Sequence, residues 1–245
     1  MVATRAQCQR TIDHGEVFTP TGLVRDMLDL PGVAEECTRI DARFLEPACG
    51  DGNFLLEVLR RRLDAISKKR PKLALSTWER HALRGLANLY GIELLPDNVQ
   101  ACRDRLAGQF TDVYQTRFPK AFREQVIDAA RHITAANIHF GDALAMTTPG
   151  DKVHPARPLI FTQWSMLSFR GGGWFKRKRF EYRELAAPRE TNGSTLFGQS
   201  IDRPVNEDGK PVFLAQPVDD LPLVHYLKLG QEPHPASLPA GGRSR

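Results

Sequence analysis

The sequence lacks the features that would place it in a membrane or in an oxidising compartment. None of its 245 residues belongs to an apolar run of 18 or more, so no bilayer-spanning segment is expected. The four cysteines form no Cys-x-x-Cys pair and the histidines show no metal-ligand spacing, which argues against a disulfide framework or a metal site. Residues 1–10 are polar and basic, unlike a secretory signal. We therefore expect a cytoplasmic protein with reduced thiols and no metal.

A strong charge of either sign is also missing. The chain carries 34 basic and 29 acidic residues, so its formal net charge is +5, which is compatible with a polyanionic partner without requiring one. The apolar fraction of 41% is ordinary for a globular protein. The length is sufficient for one α/β domain with appendages.

The most informative segment is Phe-Leu-Glu-Pro-Ala-Cys-Gly-Asp-Gly-Asn-Phe-Leu at residues 44–55. It is typical of a short strand, a glycine-containing turn and the beginning of a helix. Gly50 and Gly52 have no Cβ, so the backbone can turn tightly and a ligand can approach it closely. The first N–H groups of the helix point back into this turn. Because Glu46 would repel a phosphate, the turn favours a cationic ligand such as S-adenosylmethionine.

Apolar periodicity predicts strands that alternate with helices over the first 144 residues. Strands are expected at 43–47, 90–94 and 137–140, with helices between them. This order predicts an α/β fold with a mostly parallel sheet, right-handed crossovers and helices on both faces. An acidic residue lies at or just after the end of each strand: Glu46, Glu93 and Asp142. Ligands bind at the carboxyl ends of such strands, so we expect these carboxylates to contact the methionine end, the ribose and the base of one cofactor.

Regularity fades in the last third of the chain. A fourth strand is expected at 158–164, whereas the residues from 187 onward offer little that could build a core. These patterns predict a disordered segment at 1–13, a cofactor-binding domain at 14–165, and a basic, irregular C-terminal extension with a disordered tail at 166–245.

Residues 46–54, Glu-Pro-Ala-Cys-Gly-Asp-Gly-Asn-Phe, resemble the cofactor motif of bacterial S-adenosylmethionine-dependent adenine-N6 DNA methyltransferases. Three further segments, at 14–20, 90–93 and 137–144, resemble other motifs of that family in the family's order. The resemblance implies a Rossmann-like class I methyltransferase fold, S-adenosylmethionine as cofactor, DNA as partner and a role like that of a restriction–modification M subunit. It also implies cofactor contacts by Phe18, Thr19, Glu46, Ala48, Gly50, Asn53, Glu93 and Asp142.

The family's catalytic signature is missing from this chain. In the family, Asn/Asp/Ser-Pro-Pro-Tyr/Phe follows the third motif, holds the target amine and stacks on the flipped base. No Pro-Pro, Asn-Pro or Asp-Pro occurs anywhere in the sequence. Where the signature is expected, Gln163 could hold an amine and Trp164 could stack on a base.

A basic segment in the last third of the chain is the candidate nucleic-acid contact. Lys176, Arg177, Lys178 and Arg179 are flanked by aromatic residues, and such mixtures can follow phosphates and stack on bases. The alternative is a solvated basic edge of a strand or helix. Several functions stay open: a lone DNA methyltransferase, a component completed by a second restriction–modification polypeptide, a non-catalytic subunit that binds S-adenosylmethionine and DNA, or a methyltransferase on RNA or a small molecule.

Overall fold

The computed structural model describes residues 19–69, 72–151, 153–167, 172–186 and 215–233. The predicted disordered segment at 1–13 lies outside these ranges, as do Phe18 and residues 234–245. No helix within them combines the length and the apolarity that crossing a bilayer requires. The elements follow in this order: α1 (Thr21–Leu28), α2 (Val33–Thr38), β1 (Phe44–Glu46), α3 (Asn53–Lys69), α4 (Leu75–Ala87), β2 (Leu89–Glu93), α5 (Pro96–Arg117), α6 (Glu124–Asn137), β3 (Ile138–Phe140), β4 (Ile160–Leu167), β5 (Trp174–Glu181), α7 (Tyr182–Ala186), β6 (Asp219–His225) and a 3₁₀ helix (Tyr226–Gln231).

The first three strands form a parallel sheet in the order β1–β2–β3, and they lie where the sequence predicts them. In the register of this sheet, Glu46 lies opposite Gly91, and Glu93 lies opposite Phe140. All three strands therefore end at the same edge of the sheet. This edge receives the glycine turn after β1 and the loops after β2 and β3.

Helix packing against this sheet supplies the core. Helix α3 buries Leu55, Leu59 and Leu63 on one face, and it contacts both β1 and β2. Trp78 of α4 is fully buried and stacks on Tyr114 of α5, with ring centroids 5.4 Å apart. The core therefore lies between the parallel sheet and the helices that connect its strands.

Helix α1 is attached to α3 by charged groups at its carboxyl end. Arg61 donates through Nη1 to Leu28 O at 2.9 Å and pairs with Asp29 Oδ1 at 2.8 Å. Arg61 also pairs with the buried Glu57, which accepts hydrogen bonds from Arg60 as well. These bonds, above all those from Arg60, hold the pKa of Glu57 at about 2. The attachment holds the end of α1 against the middle of α3.

The predicted fourth strand differs from the expectation. It is present as β4, but it pairs with β5 in an antiparallel sheet of order β4–β5–β6 and does not join the parallel sheet. Gly172 and Gly173, just before β5, have φ of 79° and 88°, values that glycine adopts readily. The chain thus returns beside β4 with Leu167 opposite Trp174.

The expected irregular extension also differs from the structure over 172–186 and 215–233. These ranges contain β5, β6 and the 3₁₀ helix, which packs on α6. Tyr226 and Leu229 are buried, and Tyr226 donates to Oε2 of the buried Glu79 at 2.8 Å. Few apolar residues of these ranges reach the core. Apolar periodicity in the sequence is therefore a weak signal for β5, β6 and the 3₁₀ helix.

Candidate functional site

Two glycines in the turn between β1 and α3 adopt backbone conformations that other residues rarely adopt. Gly50 and Gly52 have φ of 52° and 98°, in the left-handed region. A Cβ on Gly52 would lie 2.7 Å from Sγ of Cys102 on α5, too close for any side chain. Cys49 donates its N–H to Ile92 O at 3.0 Å, which fastens the turn to β2. The backbone of the turn is therefore held close to the strand ends.

Glu93 at the end of β2 holds this turn directly. Its Oε2 accepts the N–H of Gly50 at 2.8 Å, and its Oε1 accepts the N–H of Leu95 at 3.0 Å. A carboxylate oxygen can accept more than one hydrogen bond, so the half-buried Glu93 retains capacity for ligand hydroxyl groups. The same residue can thus shape the turn and bind a ligand.

Glu46 at the end of β1 is a partly desolvated carboxylate. Burial raises its pKa, whereas the long 3.4 Å contact from the Ala48 N–H opposes that shift. A cationic group beside such a carboxylate would compensate for its lost hydration. The environment of Glu46 therefore suits a ligand that carries positive charge.

Asp142 follows β3 and closes the third loop. Its Oδ1 accepts the N–H groups of Leu144 and Ala145 at 2.8 and 2.9 Å. Gly141 donates its N–H to Glu93 O at 2.9 Å, which ties the ends of β3 and β2 together. Because Oδ1 carries the loop contacts, Oδ2 can accept a hydrogen bond from a ligand. The acidic residues of β1 and β2 and the acid after β3 are thus brought to one edge.

Two more of the predicted contacts lie at the turn. Asn53 begins α3 and donates through Nδ2 to Thr19 O at 3.2 Å, so Thr19 reaches the site through its backbone. Ala48 is exposed within the turn. Phe18 belongs to the part of the chain that the structure does not describe.

The sequence reasoning missed four residues at this edge. Arg105 of α5 pairs with Asp51 in the turn at 2.5 Å, and nothing in its sequence context indicates that contact, since 54 residues separate them. The other three are exposed apolar residues within two positions of Glu93 or Asp142: Leu94, Phe140 and Leu144. Their closeness to the acids can be read from the sequence. Apolar side chains beside the acids can pack on the flat face of a nucleoside base.

The structure does not support a stacking role for Trp164. Its side chain is 6% exposed, and its indole Nε1 donates to Asn137 Oδ1 at 2.8 Å. An edge-on contact with Phe175, at 5.5 Å between centroids, completes its packing. Gln163 lies opposite Lys178 in the antiparallel sheet, which is separate from the sheet of the three parallel strands. Gln163 and Trp164, the candidates for holding the amine and stacking on the base, therefore do not lie on a strand of the parallel sheet, although the resemblance implies such a position.

The basic segment belongs to strand β5, and over residues 174–179 of this strand every second side chain is buried. Arg177 is 3% exposed and pairs with Glu232 Oε2 at 2.9 Å. Arg179 is also buried, 3.0 Å from Asp219 Oδ2. Only Lys176 and Lys178 lie on the more accessible face. This alternation does not favour the expectation that all four cations contact nucleic acid.

Comparisons with known proteins give partial support for a methyltransferase. A stretch of 58 residues is 40% identical to the Type II methyltransferase M.PaeR7I of Pseudomonas aeruginosa; it covers 24% of this chain and 10% of that protein. The match thus spans about a tenth of the relative's length. No protein-family model matches the sequence, and no solved structure matches the chain.

Proposed function

We propose that this chain has a Rossmann-like class I methyltransferase fold and binds S-adenosylmethionine at the carboxyl edge of its parallel sheet. We further propose that it is the cofactor-binding component of a DNA adenine-N6 methyltransferase in a restriction–modification system. The observation that carries the proposal is the contact of Glu93 with Gly50 in the turn, with Glu46 and Asp142 on the neighbouring strand ends. The partial similarity to a Type II methyltransferase supports the same class.

The donor and acceptor groups at this edge fit the proposed cofactor. S-adenosylmethionine carries an ammonium and a sulfonium group, and the desolvated carboxylate of Glu46 suits positive charge. Glu93 can accept hydrogen bonds from the ribose hydroxyls, and Oδ2 of Asp142 can accept one from the adenine amino group. The cation-accepting, sugar-accepting and base-accepting groups thus follow one another across β1, β2 and β3.

The cofactor supplies an activated methyl group, and the protein must bring an adenine amine in line with it. That alignment requires a polar group that holds the amine and a surface on which the extruded base stacks. The sequence contains no Pro-Pro signature, and Trp164 is buried in the core. These two facts favour a component that a second polypeptide completes over an enzyme that acts alone.

A non-catalytic subunit that binds S-adenosylmethionine is the second candidate. The absence of the Pro-Pro signature and the burial of Trp164 favour it as well. Transfer of labelled methyl groups to adenine-containing DNA separates the candidates. Transfer by the purified chain alone would indicate a complete enzyme, and transfer only with a co-encoded polypeptide would indicate a component. Cofactor binding without transfer in either condition would favour the non-catalytic subunit.

Binding itself is tested by calorimetry with S-adenosylmethionine and with the Asp142→Asn variant. Asparagine can keep an oxygen toward Leu144 and Ala145 but replaces Oδ2 with a donor. We expect the affinity to fall about tenfold to a hundredfold, the range for a lost hydrogen bond to a charged group. Asp151→Asn is the matched control, because Asp151 Oδ1 makes the same kind of loop contacts to the N–H groups of Val153 and His154. A wild-type chain that binds no cofactor would overturn the proposal.

A further inference from the structure

Arg105 belongs to the middle of α5, and its side chain contacts Asp51 in the glycine turn and Asn53 at the beginning of α3. Its Nη1 donates to Asp51 O at 2.7 Å and lies 2.5 Å from Asp51 Oδ2, while its Nη2 donates to Asn53 Oδ1 at 2.9 Å. One planar guanidinium group therefore spans two residues of the turn. Lysine has a single charged nitrogen and cannot reproduce that fork.

The contact with Asn53 extends this network to the beginning of α1. Because Asn53 Oδ1 accepts from Arg105, its Nδ2 is directed to Thr19 O, at 3.2 Å. Amide orientation follows from the hydrogen-bond partners on both sides, so the guanidinium group fixes the direction in which Asn53 donates. Through this amide, Arg105 attaches the chain before α1 to the glycine turn.

One oxygen of Asp51 is left without a donor. Asp51 Oδ1 is buried and receives no hydrogen bond from the described part of the chain, whereas Oδ2 pairs with Arg105. A buried acceptor without a partner is unfavourable until a donor reaches it. The pairing of Oδ2 with the guanidinium group thus fixes the orientation of a carboxylate whose other oxygen is buried without a donor.

The ion pair of Arg105 and Asp51 is partly exposed, so we expect it to order the turn rather than to stabilise the whole fold. The side chain of Arg105 is 40% exposed, and that of Asp51 is 30% exposed. Ion pairs in such positions contribute little to the free energy of unfolding. The glycine turn, by contrast, has backbone freedom that must be lost when a ligand binds, and ordering it in advance raises affinity.

We propose that Arg105 is a positioning residue of the cofactor site: it holds Asp51 and Asn53 so that the turn and Thr19 are ordered before the cofactor binds. This inference rests on the proposed function. Arg105 touches the turn and not the reacting atoms, so it is expected to change cofactor affinity and local order rather than the chemical step.

The test measures S-adenosylmethionine affinity by calorimetry, unfolding by urea, and amide hydrogen exchange of residues 50–53. Arg105→Ala is expected to weaken binding about tenfold and to speed exchange in the turn, with the urea midpoint nearly unchanged. Arg105→Lys is expected to recover part of the affinity through Asp51. Asn53→Ala is expected to weaken binding as well, and the double variant to lose less than the product of the two single losses, since both act in one network.

Arg84→Ala is the matched control, because Arg84 is also 40% exposed and pairs with Asp41 at 2.5 Å at another place on the surface. It is expected to leave the affinity and the exchange of residues 50–53 unchanged. If the wild-type chain binds the cofactor and Arg105→Ala binds it equally well, the positioning role is overturned while the proposed function stands. Absence of binding by the wild-type chain overturns both.

Discussion

Gly50 donates its backbone N–H to Glu93 Oε2 at 2.8 Å, across 43 residues of sequence. This bond joins the glycine turn after β1 to the acidic end of β2. It gives Glu93 two tasks, since the carboxylate that is proposed to bind the ribose also orders the turn. A change at Glu93 should therefore affect binding and local structure together.

We expect Glu93→Gln to weaken S-adenosylmethionine binding at least tenfold and to destabilise the fold by about 1–3 kcal/mol. Both oxygens of Glu93 accept backbone N–H groups, and glutamine would turn an amide donor toward one of them. Calorimetry and urea unfolding measure the two effects. Glu35→Gln is the control, since Glu35 Oε2 accepts the N–H of Gly32 at 2.7 Å at an exposed helix start. Equal affinities of the wild-type chain and Glu93→Gln would contradict the assignment.

Gly52→Ala is expected to destabilise the protein by about 1–3 kcal/mol, because alanine is strained in the left-handed region and its Cβ would overlap Cys102 Sγ. Gly108→Ala is the matched control within α5, where a Cβ meets no atom within 4 Å. That change should stabilise the helix by up to about 1 kcal/mol. Urea unfolding gives both values. A neutral effect of Gly52→Ala would show that the turn does not require glycine there.

The affinity for S-adenosylmethionine is expected to fall as the pH drops through the raised pKa of Glu46, which lies above its ordinary value of 4.5. A cationic ligand prefers the ionised carboxylate, so binding should release protons in this range. Glu46→Gln should bind more weakly at neutral pH and lose this pH dependence. Calorimetry in buffers of different ionisation enthalpy counts the protons. Without ligand the sign is opposite: a raised pKa in the folded state favours folding at low pH, and that contribution is lost as the pH rises through it.

Tyr226→Phe is expected to destabilise the protein by about 1–3 kcal/mol, because it removes a hydrogen bond to the fully buried carboxylate of Glu79. Burial and this bond also raise the pKa of the Tyr226 hydroxyl to about 12, so the group stays protonated and donates near neutral pH. Tyr182→Phe serves as the control, since Tyr182 packs on Phe161 through its ring. Thermal unfolding that is unchanged in Tyr226→Phe would argue that the 3₁₀ helix is not part of the core.

Trp164→Phe is expected to lower stability by about 1–3 kcal/mol and to leave cofactor affinity unchanged. The substitution removes the indole donor and leaves the buried Asn137 Oδ1 without it. Urea unfolding and calorimetry distinguish these effects. A loss of methyl transfer at full stability would instead return Trp164 to the catalytic candidates.

Local sequence patterns predict the glycine turn and the acidic residues at the strand ends well. The glycine turn, the three short strands and the acid at or after each strand end are signalled by neighbouring residues, and the structure has these strands within a residue or so of the expected bounds. Parallel pairing then follows from the alternation of strands with helices. Glu46, Glu93 and Asp142 reach one edge because the strands run in one direction and in register.

Local patterns could not reveal Arg105, the second sheet or the burial of the basic strand. Arg105 reaches the turn across 54 residues, and Arg177 is buried because Glu232, 55 residues later, neutralises it. The sequence of a basic and aromatic segment does not show whether its cations face solvent or acidic partners. Its environment depends on what the rest of the chain packs against it.

The sequence by itself determined the local geometry: a side-chain-free turn between a strand and a helix, and acidic residues at or after three strand ends. The tertiary structure alone decided which charges are neutralised, which aromatic rings are buried and which distant side chain orders the turn. The physical reason is range, since backbone freedom and periodicity act between neighbours, whereas ion pairing and burial depend on segments far apart in the chain.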